Sequence, residues 1–290
     1  MPYRQDNPNR NSIGYSTCRT TRDYLPKYQM NGLSVTSISG ILWLSVTFSP
    51  CLAAQTWQQH EKHEGFELFS ETLVDSQEIV RELSDVRREL DGLLQLGHGN
   101  QNVEVVIFSS NNSYRNYLSA QLPEAVRRRA VFYKSGQTFQ IYTFRHAELA
   151  VDLRHEYTHA LLHQTLPFVP LWIDEGLAEF MEERPEQRAK SSRQSSMKWR
   201  CRTGWKPSLK QLEQIPSASA MTQDHYRDSW AWISFLASES AATRTLLRTY
   251  LQAISAGEAP GSFSEWVQSR DPEVINRVGS YFRRIRISLR

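Results

Sequence analysis

The chain has 290 residues and an almost balanced charge, with 34 Lys plus Arg against 31 Asp plus Glu. The basic excess lies in residues 1–54, which leaves 29 basic and 29 acidic residues in the rest of the chain. A neutral body argues against nucleic acid or an anionic membrane as its partner, because both require a basic surface. Residues 55–290 are long enough to build a sizeable hydrophobic core.

Residues 30–54 form an uncharged, apolar stretch that ends in Pro50 and small residues. This layout is typical of a secretory signal peptide cleaved near Ala54, with Met30 as an alternative start of the protein. We therefore expect residues 1–54 to be an N-terminal extension and signal segment, and the mature protein to be extracytoplasmic, either periplasmic or secreted. The alternative is an uncleaved anchor through residues 30–54, and only in that case is the membrane a partner.

The next segment contains alternating helix and strand patterns. Apolar residues at helical spacing predict one long amphipathic helix over residues 66–96. A run rich in β-branched residues predicts a strand over residues 103–108, and Ser110 or Asn111 is expected to cap a helix that reaches Leu122. Residues 130–133 and 138–144 predict a hairpin, one strand of which either binds substrate backbone at the wall of a cleft or is an ordinary sheet strand.

The most informative motif is His155-Glu156-Tyr157-Thr158-His159, which has the form HExxH. Spacing of i and i+4 places the two histidines on one face of a helix, about one turn apart. Both imidazoles can then reach one Zn²⁺, while Glu156 can accept a proton from the water that the metal activates. The apolar flanks predict that this helix is largely buried.

Two acidic residues downstream complete the pattern. Glu175 is the natural third metal ligand, because catalytic zinc combines two histidines and one glutamate and keeps a position open for water. Glu179 lies one helical turn further along. It either hydrogen-bonds the far nitrogen of a ligand histidine or is a solvated surface acid.

This combination of His155-Glu156-x-x-His159 with Trp172-x-x-Glu175-Gly-Leu-Ala-Glu179 resembles the gluzincin metallopeptidases, especially the compact peptidase-MA-like group. The resemblance covers residues 100–183. It implies a zincin-like fold, one catalytic Zn²⁺ held by His155, His159 and Glu175, Glu156 as the base, and hydrolysis of peptide or protein substrates.

Two departures limit the resemblance. The Gly-x-Met-x-Asn element with which gluzincin aminopeptidases bind the substrate's free amine has no counterpart in residues 130–144, which favours an endopeptidase. His163 continues the histidine row, but Leu162 and Thr165 stand where the metzincins need Gly and a third His. His163 is therefore expected to end the helix or support a ligand.

Beyond the motif, residues 184–207 are basic and polar and predict an exposed loop, whereas residues 208–290 predict a helical C-terminal lobe. That lobe follows an N-terminal lobe over residues 55–183, so the expected fold class is α+β, with a small mixed sheet and the active-site helix. Zinc peptidases need a donor for the oxyanion of the tetrahedral intermediate. Tyr226, which resembles a Tyr of the relatives, is the first candidate and His225 the second; a structural Tyr is the alternative.

Two other functions fit the same sequence. One is a catalytically silent binding protein that keeps the zincin fold outside the cytoplasm, and the other is a membrane-anchored processing protease. The intact ligand and base positions favour an active zinc peptidase over the silent protein. Retention of the leader would favour the anchored protease.

Overall fold

The computed structural model of the protein describes residues 56–97, 99, 101–205 and 208–284. The predicted signal segment lies outside these residues. The described chain is α+β, with a small mixed sheet followed by helices, so the predicted fold class is confirmed at this level. Within the described residues, no helix has both the length and the apolar character needed to cross a membrane.

Five strands form one sheet in the order β1-β2-β3-β5-β4, and their bounds are β1 Gln59–His63, β2 Phe66–Ser70, β3 Val103–Phe108, β4 Ala130–Ser135 and β5 Thr138–Phe144. The three central strands β2, β3 and β5 run parallel to one another. The outer strands β1 and β4 are antiparallel to their neighbours. The predicted hairpin is therefore confirmed, and β4 is an edge strand.

Four helices belong to this part of the chain, with the bounds α1 Ser76–Leu94, α2 Asn111–Gln121, α3 Leu149–Thr165 and α4 Leu171–Met181. The strand side chains alternate between two hydrophobic clusters, as the period of two in a strand requires. Val105, Ile107 and Ile141 pack with α1 and α3 on one face, whereas Val106 and Tyr142 pack with α2 on the other. The sheet thus positions α3, and α3 supports α4.

The predicted helix over residues 66–96 is wrong in its first part, where the structure has β2. Phe66, Leu68 and Ser70 are buried and alternate with more exposed residues, which is the period of a strand. The helix begins only at Ser76, where the side chain of Asp75 accepts a hydrogen bond from the backbone N–H of Glu78. The strand at residues 103–108 and the helix capped by Ser110 are confirmed.

The predicted exposed loop over residues 184–207 is also wrong, because most of this segment is helical. Its helices are α5 Pro185–Arg188 and α6 Ser192–Arg202. Gln194, Met197 and Cys201 are buried at helical spacing on one face of α6. Burial of this narrow face holds the helix against the protein despite its many polar residues.

The described part of the C-terminal lobe is helical, as predicted. Its helices are α7 Leu209–Glu213, α8 Gln223–Ser238, α9 Ala241–Ser255, α10 Phe263–Arg270 and α11 Val274–Arg284. The helices α8 and α9 separate where Ser240 caps α9 by accepting a hydrogen bond from the backbone N–H of Thr243. The helix α8 packs closely on α4 and so brings this lobe to the motif.

Candidate metal centre

The two histidines of the HExxH motif converge on one point inside the protein. Both lie on α3, whose residues from Asp152 to Leu162 are all buried. The Nε2 atoms of His155 and His159 are 3.2 Å apart, and each histidine is only 1 % exposed. The helical spacing therefore produces the predicted pair of adjacent ring nitrogens.

Glu175 completes a triangle with this pair from the neighbouring helix α4. Its Oε2 atom lies 3.8 Å from Nε2 of His155 and 3.7 Å from Nε2 of His159. Ligands about 2.0–2.2 Å from a tetrahedral zinc ion are about 3.3–3.6 Å from one another. The three atoms are thus close to the spacing that a single metal ion requires, and they form a buried group that could hold one.

The outer nitrogens of both histidines contact carboxylates. Nδ1 of His159 lies 2.6 Å from Oδ1 of Asp174, and Nδ1 of His155 lies 2.8 Å from Oε1 of Glu182. An ionised carboxylate only accepts hydrogen bonds, so each Nδ1 donates its proton. This arrangement leaves the lone pair of each Nε2 directed toward the centre of the triangle, which is the tautomer that a metal needs.

The electrostatics of the centre favour a positive charge. Two Nε2 lone pairs and one carboxylate oxygen face each other, and such a group is stable only if a cation or a proton lies among them. Burial lowers the pKa of His155, but Glu182, Glu156 and Glu175 outweigh it and raise that pKa to about 10. The donor set and its charge therefore fit a divalent metal ion.

Glu156 lies beside this triangle and reaches the edge strand of the sheet. Its Oε2 atom accepts a hydrogen bond of 2.7 Å from the backbone N–H of Phe132 on β4. Its Oε1 atom is buried and has no hydrogen-bond partner among the described residues. One oxygen is thus held in place, while the other is available to a water or a substrate.

Glu179 takes a different place from the one that the sequence suggested. It is buried on α4 and its carboxylate contacts Arg193 of α6 at 2.8 Å, while Glu182 provides the hydrogen bond to His155. Burial and the neighbouring Glu182 raise the pKa of Glu179 to about 7, although Arg193 and His155 oppose this shift. Glu179 is therefore neither a solvated surface acid nor the hydrogen-bond partner of the ligand.

His163 supports the centre indirectly. Its Nε2 atom lies 3.1 Å from Oδ2 of Asp174, the residue whose other oxygen contacts His159. Burial opposes the charge of Asp174, but His159 and His163 outweigh it and hold the pKa of Asp174 well below its usual range. His163 thus occupies the supporting position expected for it.

The two candidate oxyanion donors lie at the start of α8. His225 forms a capping box with Thr222, accepting the backbone N–H of Thr222 at its Nδ1 atom. Tyr226, the next residue, is buried. It lies about one helical turn before Ser229, and the carbonyl of Ser229 packs against Gly176, the neighbour of Glu175. The structure therefore brings the helix of Tyr226 to α4 and gives the side chain of His225 a structural contact.

Three supporting residues were missed by the sequence analysis: Asp174, Glu182 and Arg193. Asp174 precedes Glu175, and Glu182 follows it by seven residues, which is two helical turns and the same face. Those spacings were visible in the sequence. Arg193 was not recognisable as a contact, because it comes from a segment without an obvious apolar pattern.

Comparisons with known proteins give little further information. No protein-family model matches the chain, and no curated protein matches it in sequence. A solved structure described as the M1 zinc metallopeptidase from Deinococcus radiodurans aligns with 77 % of this chain at 16 % identity and a TM-score of 0.41. The alignment covers 49 % of that protein, so this chain spans about half of its length.

Proposed function

We propose that the protein is a zinc-dependent peptidase of the gluzincin type that hydrolyses peptide bonds. The observation that carries this proposal is the buried triangle of His155, His159 and Glu175, with ligand atoms 3.2–3.8 Å apart and Glu156 beside it. Two histidines and one glutamate form a known ligand set of catalytic zinc, whose remaining position is open. The edge strand β4 contacts the proposed base, and α3 and α4 bring the three proposed ligands together, which agrees with this chemistry.

Glu156 is the proposed general base. Zinc in such a site lowers the pKa of water and polarises a carbonyl oxygen. Glu156 takes the proton from the attacking water at Oε1 and returns it to the leaving amine, while the N–H of Phe132 keeps Oε2 in place. Because Glu156 is not one of the three ligand positions, it remains available for both proton transfers.

Tyr226 is the proposed donor to the oxyanion of the tetrahedral intermediate. It is a buried residue of α8, the helix that packs on the helix of Glu175. A preorganised donor in a buried site stabilises the developing negative charge more strongly than water does. His225 is the second candidate, although its Nδ1 atom already accepts a hydrogen bond from Thr222.

The edge strand β4 supports an extended peptide as the substrate. In an antiparallel pair, alternate residues turn both backbone groups away from the partner strand. The N–H of Phe132 points away from β5 toward Glu156, so the backbone groups of Ala130 and Lys134 also face outward. A peptide added at this edge would lie beside the proposed base and would be held through its backbone, with little dependence on its side chains.

We further propose that the enzyme works outside the cytoplasm, because residues 30–54 have the pattern of a signal segment. We propose no nucleic acid as a partner, and no membrane once the leader is cleaved. N-terminal sequencing of the protein expressed from its full gene distinguishes cleavage near residue 54 from a retained anchor. A mature protein that keeps residues 30–54 would contradict the secreted form.

Cleavage of a random peptide library by the purified protein tests the activity itself. The proposal predicts turnover in the presence of zinc, its loss on treatment with a chelator and its return when zinc is added back. Internal cleavage of peptides with blocked termini is expected for an endopeptidase. A protein that binds zinc but cleaves no peptide would instead support the silent binding protein.

A further inference from the structure

Arg193 connects a helix outside the motif to the metal centre. It lies on α6, and the side chain of Ser191, the residue before this helix, caps it by accepting a hydrogen bond of 3.0 Å from the backbone N–H of Arg193. Met197 and Cys201 bury the inner face of the same helix. The backbone that carries Arg193 is therefore fixed by a cap and by packing.

The guanidinium of Arg193 contacts two neighbouring carboxylates at once. One terminal nitrogen lies 2.6 Å from Oε2 of Glu182 and 2.8 Å from Oε2 of Glu179. The other donates a 2.8 Å hydrogen bond to the backbone carbonyl of Glu179. The side chains of both acids are only 9 % exposed, so these contacts differ from an ordinary surface ion pair.

These contacts define the orientation of Glu182. Its Oε2 atom is held by Arg193, while its Oε1 atom accepts the hydrogen bond from Nδ1 of His155. His155, Glu179 and Glu182 also form a buried group with metal-ligand spacing. Arg193 already supplies the positive charge there, so we assign this second group to the support of His155 rather than to another metal.

We propose that Arg193 is a positioning residue of the metal centre: through Glu182 it holds His155 in the rotamer and tautomer that bind zinc. This inference rests on the proposed function, since it assumes that His155 is a zinc ligand. The orienting partners of metal-bound histidines generally contribute 10–100-fold to metal affinity. Arg193 does not contact His155 itself but contacts its partner Glu182. Since Arg193 lies on α6, that helix helps to determine how tightly zinc is held.

The test is the zinc affinity of full-length Arg193→Ala, measured by competition with a chromogenic chelator and compared with Arg200→Ala. Arg200 lies on the same helix, and its removal changes the net charge equally. We expect Arg193→Ala to weaken zinc binding about 10-fold or more, Arg193→Lys to recover part of the loss, and Arg200→Ala to bind like the wild type. The absorption spectrum of the Co²⁺-loaded protein should change in Arg193→Ala alone.

The pair Arg193→Ala and Glu182→Gln tests the route of the effect. If Arg193 acts through Glu182, the double variant should bind zinc about as weakly as Glu182→Gln. If Arg193→Ala fails to fold, the double variant Arg193→Ala/Glu179→Gln replaces it, because it also removes one of the two buried acids. This variant is compared with Glu179→Gln, and the same loss of zinc affinity is expected.

Zinc affinity and a Co²⁺ spectrum equal to those of the wild type, in a folded variant without Arg193, would overturn this inference and leave the proposed function intact. Absence of zinc binding in the wild type would instead overturn the proposed function. The two failures are therefore distinguishable from the same titrations.

Discussion

At the scale of single residues, the proposed base and the proposed ligands depend on different contacts. Glu156 is held by the backbone of Phe132, whereas His155 and His159 are held by Glu182 and Asp174. Removal of the Glu156 carboxylate is therefore expected to leave the proposed metal site intact. This separation makes Glu156 the most direct position at which to test the chemistry.

We expect Glu156→Gln to bind zinc with unchanged affinity and to lose about 10²–10⁴-fold in kcat, because the amide cannot accept the proton from water. Zinc content and peptide turnover measured on the same preparation check this prediction. Glu148→Gln, at the start of the same helix, serves as the control for a lost carboxylate. Full activity in Glu156→Gln would contradict the role of general base.

Tyr226→Phe removes one hydroxyl and keeps the buried ring. We expect kcat to fall about 10²–10³-fold while KM and zinc content stay near the wild-type values, because the hydroxyl acts on charge that develops only in the transition state. His225→Ala should change activity far less, since its ring caps α8. The reverse order of the two effects would assign the oxyanion contact to His225.

The sequence predicted which residues meet at the candidate centre better than it predicted the residues that contact them. The i, i+4 spacing of His155 and His159 is a local property of a helix, and the structure places both beside Glu175. Glu182 and Arg193 depend on how α4 and α6 pack, which is a tertiary property that spacing alone does not contain. For this reason the sequence left Glu179 open between a histidine partner and a surface acid, whereas the structure gives the contact with His155 to Glu182.

At the scale of elements, predictions succeeded where one periodicity was present. The strand β3 and the hairpin of β4 and β5 have uninterrupted β-branched and aromatic runs, and they were found. Phe69 and Leu73 happen to lie at helical spacing with the apolar residues of α1, so the prediction merged β2 with that helix. In α6 only Gln194, Met197 and Cys201 mark the buried face, a signal that eight basic residues over positions 184–207 obscured.

The contact between α4 and α8 offers a test of packing near the site. A Cβ atom added at Gly176 would lie 2.8 Å from the backbone oxygen of Ser229 and 2.7 Å from Cγ1 of Ile233. The side chain of Ile233 can move, but the backbone of Ser229 can move only if α8 shifts. We expect Gly176→Ala to lower the free energy of unfolding by about 1–3 kcal/mol, measured by urea denaturation.

Gly92→Ala is the matched control for this change. Gly92 lies in α1, and an added Cβ would meet nothing within 4 Å. The replacement should raise the free energy of unfolding by up to about 1 kcal/mol, because alanine is the better helix former. Equal effects at both glycines would show that the close approach of α8 to Gly176 does not matter.

At the scale of the whole molecule, the centre joins elements that are distant in sequence. The proposed ligands come from α3 and α4, the proposed base contacts the edge strand β4, and the proposed supporting arginine comes from α6. Metal binding should therefore stabilise the packing of these elements as a unit. The chain has no disulfide that could do so within the described residues, where Cys201 is free and buried.

Zinc is consequently expected to raise the thermal midpoint of the protein. A ligand that binds only the folded state at 1,000 times its dissociation constant adds about 4 kcal/mol to the free energy of unfolding. Calorimetry with and without zinc measures this shift, and His159→Ala, which lacks one ligand, should show almost none. A similar shift in His159→Ala would place the bound metal elsewhere.

X-ray absorption at the zinc edge of the purified protein tests the central claim most directly. The structure predicts one zinc per chain, with two imidazole nitrogens at about 2.0–2.1 Å and carboxylate oxygen at about 2.0–2.2 Å. Glu175→Gln should alter the oxygen contribution and His159→Ala should abolish the site. The account would be contradicted by a protein that takes up no zinc, or by variants whose zinc spectra are the same as that of the wild type.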